Sequence, residues 1–166
     1  MDFTTLYKKQ KELDTHIETK HGLQNESLLD RKLMALHVEL AELANETRCF
    51  KFWSEKSPSP RGKILEEYVD GIHFILSVGL KYGYEDKGTI SFRIEEKKEG
   101  NALVPYFFSV IDAIGLLREN GNRGQFIRLF EAYLSLGSAL GFSENEIINA
   151  YNEKNEVNHE RQNSGY

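Results

Sequence analysis

Four acidic residues in two matched pairs are the part of this sequence best suited to chemistry. Glu39 and Glu42 lie three residues apart in VELAELANE, and Glu67 and Asp70 repeat that spacing in LEEYVDGIHF. Because residues i and i+3 share one face of a helix, each pair projects two carboxylates from one face. Two such helices packed together would gather four mutually repelling carboxylates, which a divalent cation neutralises. The spacing predicts a site for Mg²⁺ at which a water molecule attacks phosphorus in line.

Acidic pairs with this spacing also occur on solvated helix faces, and the chain has 26 acidic residues. The surroundings of the second pair favour a site, because Phe74 shares the side of the helix that carries Glu67 and Asp70 while the rest of that helix is apolar. His73, one turn beyond Asp70, is interpreted as a partly buried polar contact, with support of the metal site as the alternative.

The segment TRCFKFWS (47–54), directly after the first acidic pair, mixes basic and aromatic residues. The simplest interpretation is a helix end that packs Phe50, Phe52 and Trp53 into the core. The same three side chains are suited to stacking on a flat ligand such as a nucleobase. Both interpretations stay open on the sequence alone.

The C-terminal segment YNEKNEVNHERQNSGY (151–166) is rich in hydrogen-bond donors. Lys154, Asn158 and Arg161 follow the i, i+4, i+7 spacing of one helical face. Lysine and arginine in one row match phosphate oxygens well. The alternative is a frayed polar terminus, because the segment has no apolar stripe to bury.

Composition indicates a single globular domain over residues 1–166, with 40% apolar and 28% charged residues. The net charge of −5 argues against general binding to nucleic acid or to anionic membranes. No apolar run comes close to the roughly 18–20 residues that span a bilayer. The first residues lack the apolar core of a signal peptide, and Cys49 is the only cysteine, so a cytoplasmic protein is expected.

The apolar periodicity predicts an all-α bundle of about six helices, with the metal site between the two acidic helices. A stripe of leucines from Leu29 to Leu43 marks the core face of the second helix, for which Asn25 or Ser27 is the expected N-cap. Residues 54–62 and 82–101 are expected to be loops, and Ser143 with Glu146 is a capping box. The helices are expected near residues 3–20, 27–48, 63–81, 102–119, 123–140 and 144–158.

The combined motifs resemble those of a known superfamily. The pattern ExxE, then 24 residues, then ExxD resembles the all-α nucleoside triphosphate pyrophosphatases, which include the MazG-type enzymes and the dimeric dUTPases. The resemblance is greater to the dimeric dUTPases of Gram-positive bacteria and their phages. Three segments carry it: QKELDTHI (10–17), ELANETRCFKFWS (42–54) and the C-terminal segment 151–166.

This resemblance implies a helical homodimer that hydrolyses dUTP, and also dUDP, to dUMP with Mg²⁺. Glu39, Glu42, Glu67 and Asp70 would hold the metal, and Glu39 or Glu42 would also orient or deprotonate the attacking water. By the same resemblance Lys154, Asn158 and Arg161 would contact the phosphates.

The resemblance also implies that Gln10, Trp53 and Tyr166 bind the nucleoside. One position departs from the family pattern, which often has Asn four residues after the Gln, where this chain has Asp14. An aspartate lacks the amide donor, so Asp14 is not expected to read the base as that Asn would. The alternatives are a MazG-like pyrophosphatase of broader base specificity and a noncatalytic helical interaction protein.

Overall fold

The computed structural model describes residues 3–85, 90 and 92–165, and these form an all-α bundle. Six α-helices account for most of the described chain, and a 3₁₀ turn at Gly100–Leu103 leads into the fourth of them. The described residues contain no β-strand. The six helices are Phe3–Lys20 (α1), Leu29–Thr47 (α2), Arg61–Tyr82 (α3), Val104–Asn120 (α4), Arg123–Ala139 (α5) and Glu144–Ser164 (α6).

Helix α3 lies at the centre and packs against α1, α2, α5 and α6, while α4 and α5 form an antiparallel pair. Because other helices pack on several sides of α3, most of its residues from Tyr68 to Gly79 are buried. The predicted leucine stripe of α2 is confirmed, because Leu33, Leu36, Leu40 and Leu43 are all buried. This packing of α2 on α3 brings the two acidic helices side by side.

Two tyrosines join α3 to α5. The Tyr68 hydroxyl donates to the Tyr133 carbonyl oxygen at 3.1 Å, and the Tyr133 hydroxyl donates to the Tyr68 carbonyl oxygen at 2.9 Å. Their rings stack with centroids 4.8 Å apart. Each ring lies against a glycine of the opposite helix, because a Cβ at Gly71 or Gly137 would lie 1.9 or 2.2 Å from a tyrosine hydroxyl oxygen. This close approach fixes the position of α3 against α5 in the part of α3 that carries Glu67 and Asp70.

Some helix caps are those that the sequence predicted, and others are not. The predicted capping box of α6 is confirmed, with Ser143 accepting from the Glu146 backbone and Glu146 from the Ser143 backbone. The predicted cap of α2 at Asn25 or Ser27 is wrong, because α2 starts after Leu28 with no side-chain cap. Residues 21–28 form turns and irregular chain between α1 and α2, where the sequence predicted the first turn of α2.

Helix α6 is longer than the sequence predicted and continues to Ser164. It packs on α1 and α3, and it buries Ile147, Tyr151 and Asn155 on that side. Hydrogen bonds replace the missing apolar stripe, since Tyr151 donates to the Leu6 carbonyl oxygen at 3.3 Å. The interpretation of this segment as a frayed terminus is therefore wrong for the part of it up to Ser164.

The expected loop at 82–101 is irregular over its described residues between Gly83 and Glu99, while Tyr82 belongs to α3 and Gly100 and Asn101 to the 3₁₀ turn. Its residues 86–89 and 91 lie outside the described residues. Among the described residues one helical stretch, Gly100–Asn120, is long and apolar enough to cross a membrane by length and composition. The sequence expectation of no such run is wrong for this stretch. Core helices of soluble proteins pass the same test, and α4 packs here against α5 and α2.

Candidate functional site

Three carboxylates converge where α2 lies against α3. Glu39 of α2 and Glu67 and Asp70 of α3 each offer an oxygen, and these oxygens lie within 4.8 Å of one another. Glu67 is buried and the other two are partly buried. Three oxygen donors in so small a volume fit a hard divalent cation that keeps some of its water ligands. Glu42, the fourth predicted ligand, is exposed one turn along α2 and lies outside this triad.

Burial and mutual repulsion disfavour charge on the triad. Burial, with the charges of Asp70, Glu42 and Glu67, raises the pKa of Glu39 to about 7. Burial is also the main reason that the pKa of Asp70 is raised, although Lys154 opposes the change. Carboxylates that resist ionisation together gain most from a nearby cation, because the cation stabilises the charged form of each. This donor set therefore fits a divalent metal.

Two lysines supply positive charge at the triad. Lys154 Nζ of α6 lies 2.8 Å from an Asp70 oxygen and 3.0 Å from a Glu66 oxygen. Lys63 Nζ lies 2.6 Å from a Glu67 oxygen. In this structure the ammonium of Lys154 takes the electrostatic role that a metal cation would have at Asp70. Glu66 was not predicted from the sequence, although it precedes Glu67 and lies one turn before Asp70.

A cavity of about 510 Å³ adjoins the triad and includes Glu39 and Asp70 in its wall. Asp70, His73 and Ser77 lie on successive turns of α3, so the cavity extends about 10 Å along that helix. Cavities of several hundred cubic ångströms with a few polar groups are typical of small-molecule sites. The remaining wall is formed by α1, the segment between α1 and α2, the start of α2 and the end of α6. The apolar side chains of the cavity wall are Leu13, Ile17, Leu23, Leu28 and, from α3, Phe74.

Gln10 is buried in this wall, and its orientation is fixed by three partners. Its Nε2 donates to Asp14 Oδ1 at 2.8 Å, and its Oε1 accepts from the Tyr151 hydroxyl at 2.9 Å. Its Oε1 also lies 2.8 Å from His73 Nδ1. Since an amide oxygen can only accept, Nδ1 of His73 carries the proton and Nε2 is the acceptor. The sequence interpretation of His73 as a buried polar contact is consistent with this geometry.

Burial and the charge of Lys154 lower the pKa of His73 to about 3, so its imidazole is neutral. Its Nε2 is buried and has no hydrogen-bond partner among the residues that the structure describes. His73 stacks on Tyr151 with ring centroids 4.1 Å apart, which joins α3 to α6 beside the cavity. Helix α6 is thereby part of the wall and not a loose appendage.

A charged network forms the part of the wall farthest from the triad along α3. Lys32 of α2 donates to Asp14 at 2.7 Å, to Ser77 at 2.6 Å and to Glu18 at 3.3 Å. Glu18 also accepts from Lys81 at 2.9 Å, and the two lysines outweigh burial in lowering the pKa of Glu18. The network unites α1, α2 and α3 with two positive and two negative charges.

Of the predicted phosphate-binding residues, Lys154 contacts the triad, and the other two, Asn158 and Arg161, line the adjoining cavity. Gln10, predicted to bind the nucleoside, lies in the cavity wall. These residues come from α1 and α6, which are distant in sequence, and the structure brings them into one space with Glu39 and Asp70.

Trp53, predicted to bind the nucleoside, does not line this cavity. Trp53 is 64% exposed in the loop after α2 and contacts Phe52, which is 94% exposed, edge to face. The interpretation that Phe50, Phe52 and Trp53 pack into the core is wrong, because all three are exposed. Tyr166 lies outside the described residues.

The acidic triad and the adjoining polar cavity define a metal-type site in an all-α fold. A family model described as dUTPase matches residues 2–166, nearly the whole chain. The chain therefore belongs to the dUTPase family, and its activity is that of a dUTP diphosphatase. No curated protein matches the chain. Membership confirms the dUTPase resemblance and the all-α fold, and the noncatalytic alternative is not favoured.

Proposed function

We propose that this protein hydrolyses dUTP, and also dUDP, to dUMP with Mg²⁺ held by Glu39, Glu67 and Asp70, and by Glu42 once nucleotide is bound. The observation that carries the metal assignment is the convergence of three carboxylates whose charged forms are disfavoured without a cation. A bound Mg²⁺ would supply charge neutralisation at the phosphates and at the attacking water. The substrate class follows from membership of the dUTPase family.

The proposed chemistry needs a base for the water. The water oxygen forms a bond to phosphorus, the bond to the leaving phosphate group breaks, and the water proton passes to a carboxylate. Glu39 and Glu42 are the proposed acceptors, because Glu42 is exposed next to the triad and the pKa of Glu39 is about 7. A carboxylate with a pKa near the working pH is suited to general-base catalysis.

The proposed phosphate contacts come from α6. Asn158 and Arg161 face the same cavity as the acidic residues, and Lys154 would exchange its carboxylate partners for phosphate oxygens when a metal neutralises Asp70. Phosphoryl transfer depends mainly on positioning and on charge stabilisation. Acidic residues on α2 and α3 and basic residues on α6 would together supply both signs of charge around one substrate.

The proposed nucleoside end lies toward Gln10, and Trp53 and Tyr166 remain proposed nucleoside contacts. Gln10 is rigidly held in the wall, which supports a role in recognition. Trp53 is exposed on a loop anchored at both sides, since Arg48 donates to Ser54 at 2.6 Å and the Ser59 amide donates to the Glu46 carbonyl oxygen at 2.9 Å. It would have to approach the nucleotide from outside the described cavity.

A homodimer is proposed as the working form. Apolar side chains stand exposed on neighbouring faces of α2 and α4, and Gly115 lies open among them. A groove of about 390 Å³ separates the two helices and includes Phe50, which extends the apolar surface to the aromatic loop. Exposed apolar side chains grouped in this way are typical of a protein interface. The exposed apolar residues are Met34, Val38, Phe108, Ile111 and Leu116.

The whole chain is proposed to act as one domain, because one family model spans residues 2–166. A cytoplasmic location is proposed with it, consistent with membership of the dUTPase family.

The decisive experiment measures product release from dUTP, dUDP, dCTP and dTTP with Mg²⁺, Mn²⁺, Ca²⁺ or chelator. We expect dUMP from dUTP and dUDP with Mg²⁺, with little product from dCTP or dTTP. Equal turnover of all the nucleotides would contradict uracil selectivity and favour the broader MazG-like activity. Activity retained in chelator would contradict the metal assignment.

A further inference from the structure

Helices α1 and α6 lie side by side and run in the same direction, and one contact between them joins two histidines. The Lys9 ammonium donates to Asn152 Oδ1 at 2.7 Å. Seven residues later on each helix, His16 Nδ1 lies 3.2 Å from His159 Nδ1. The two imidazole rings are stacked, with centroids 5.5 Å apart and an angle of 23° between their planes. The fold therefore places two ring nitrogens face to face on the first and the last helix.

The contact between the two rings is by itself a hydrogen bond. Facing ring nitrogens attract only when one holds a proton and the other a lone pair, so one Nδ1 donates and the other accepts. Both histidines are partly exposed, and solvent can therefore move the proton of the donating ring from Nδ1 to Nε2. After this shift, with both rings neutral, both Nδ1 lone pairs are free to bind a cation.

The spacing of the two nitrogens matches that of two ligands on one zinc ion. Zinc binds imidazole nitrogen at about 2.0–2.1 Å and prefers tetrahedral coordination, so two ligating nitrogens lie about 3.3 Å apart. The Nδ1 atoms of His16 and His159 are 3.2 Å apart. A zinc ion therefore needs each ring to turn about its side-chain bonds, and it does not need the helices to move.

We propose that His16 and His159 form a second metal site, for a borderline transition-metal ion such as Zn²⁺, which clamps α1 to α6. Imidazole nitrogen suits Zn²⁺, Ni²⁺ and Cu²⁺, whereas Mg²⁺ takes oxygen ligands. The histidine pair and the carboxylate triad of Glu39, Glu67 and Asp70 therefore differ in the ions that they prefer. The inference is independent of the proposed function, because no step of it depends on a nucleotide.

Water and nearby acidic residues would complete the zinc ligands. Glu12 lies one turn before His16 on α1, and Glu156 lies one turn before His159 on α6. Residues three or four positions apart share one helical face, so each glutamate lies on the same face as its histidine. Both glutamates are exposed, and either carboxylate can replace a water molecule on the ion. Two imidazoles with two such oxygen ligands make up the four ligands that zinc prefers.

An ion at this pair would fix the part of α6 that forms the wall of the large cavity. His159 directly follows Asn158 and precedes Arg161 by two residues, and both of these line the cavity. Helix α1 supplies Gln10 and Asp14 to the same wall. A metal bridge would restrict the separation of α1 from the last turns of α6 more strongly than one hydrogen bond between rings does.

Calorimetric titration with Zn²⁺ in a large excess of Mg²⁺ tests the site, because Mg²⁺ competes for the carboxylate triad and leaves imidazole free. We expect wild type to bind one Zn²⁺ per chain that added Mg²⁺ does not displace. His16→Asn and His159→Asn should each lower this affinity at least about tenfold, since each removes one of two imidazole ligands. His21→Asn is the matched control, because His21 also contacts α6 but faces the Gln162 side-chain oxygen at 3.0 Å.

Thermal melts and amide hydrogen exchange give readouts besides affinity. Zn²⁺ added to the Mg²⁺-loaded protein should raise the melting temperature of wild type and of His21→Asn, because it binds the folded chain. It should also slow exchange in the last turns of α6. Without Zn²⁺, His16→Asn and His159→Asn should melt close to wild type, which separates loss of the ion from loss of the fold.

The contrary outcomes are equally specific. Zn²⁺ binding that persists in both His16→Asn and His159→Asn, and weakens as Mg²⁺ is raised, would assign the ion to the carboxylate triad and overturn the clamp. A wild-type chain that binds no Zn²⁺ in the presence of Mg²⁺ would overturn it as well. Neither result bears on hydrolysis of dUTP, which is measured separately.

Discussion

Lys154 Nζ lies 2.8 Å from Asp70 Oδ2, so the basic residue expected to bind phosphate rests on a residue expected to bind metal. The ammonium also contacts Glu66 at 3.0 Å. We therefore expect a metal ion and Lys154 to compete for the same negative charge. Arrival of a metal–nucleotide complex would displace the ammonium from Asp70 and leave it directed toward the phosphates.

Lys154→Met should weaken the metal-free protein and increase its dependence on metal. Without the ammonium, Asp70 and Glu66 lose a close cation, so the melting temperature in chelator is expected to fall and the increase on adding Mg²⁺ to exceed that of wild type. KM for dUTP should rise about tenfold or more if the charged contact to phosphate is lost. Thermal melts and steady-state kinetics measure these effects.

Lys11→Met is the matched control, because Lys11 is exposed and its ammonium lies 3.8 Å from an oxygen of Glu85, which is exposed as well. It should change neither the Mg²⁺ response nor KM. An equal Mg²⁺ response in Lys154→Met and wild type would contradict the competition between lysine and metal.

The stability of the metal-free protein should depend on the protonation of Glu39. Its pKa is raised from 4.5 to about 7 in the folded chain, so the folded state binds more protons than the unfolded state between these values. Stability in chelator is therefore expected to fall as pH rises from 4.5 to 7. Glu39→Gln should show a smaller fall, which does not vanish because Asp70 is shifted in the same direction.

Melting temperatures measured in chelator across this pH range provide the comparison. Saturating Mg²⁺ should flatten the wild-type curve, because a bound cation favours the ionised carboxylates. Parallel curves for wild type and Glu39→Gln would show that Glu39 does not carry this proton.

Glu42→Gln should abolish most activity without affecting folding. The residue is exposed, so its substitution is expected to change stability little, whereas loss of a metal ligand or base is expected to lower kcat about 10²–10⁴-fold. Glu153→Gln, an exposed acid on α6, serves as the control. Undiminished hydrolysis by Glu42→Gln would remove Glu42 from both proposed roles.

Gly71→Ala should destabilise the fold strongly. A Cβ at this position would lie 1.9 Å from the Tyr133 hydroxyl oxygen, so α3 and α5 must separate or the tyrosine must move and lose its hydrogen bond. Overpacking of this kind costs about 1–3 kcal/mol, and the lost hydrogen bond adds about 1 kcal/mol. Gly62→Ala, in the same helix with open space at its Cβ, should be neutral or stabilising. Chemical denaturation curves distinguish the two.

The apolar surface of α2 and α4 should control assembly. Ile111→Asp places a charge on α4 at the groove between the two helices, and it should convert the proposed dimer to monomer with little change in helix content. Sedimentation velocity at several protein concentrations measures this. Glu119→Lys, an exposed change near the end of the same helix, should keep the dimer. A wild-type chain that stays monomeric at high concentration would contradict the proposal directly.

Much of the fold could be predicted because its signals are local. The leucine stripe of α2 and the Ser143–Glu146 capping box depend on neighbours in sequence, and both agree with the structure. The length of α6 could not be predicted this way. Its last turns contact the end of α1 and the residue after it, with His159 Nδ1 lying 3.2 Å from His16 Nδ1 and Gln162 Oε1 lying 3.0 Å from His21 Nε2, and the segment's own composition does not show these contacts.

The site was predictable in residue type but not in its interactions. Matched spacing identified Glu39, Glu67 and Asp70, since a helix fixes which residues share a face. No local pattern places Lys32 beside Asp14 or Lys154 beside Asp70, because these contacts join helices that are distant in sequence. Glu66 was missed for the same reason, as its role depends on a lysine 88 positions away.

The order of synthesis has a consequence for this architecture. Tyr151, on the last helix, fixes the orientation of Gln10 on the first and stacks on His73 in the middle of the chain. In a ribosome-bound chain from which α6 has not yet emerged, the cavity lacks one wall and the lysine that contacts Asp70. We therefore expect the proposed nucleotide site to be incomplete until α6 has left the exit tunnel.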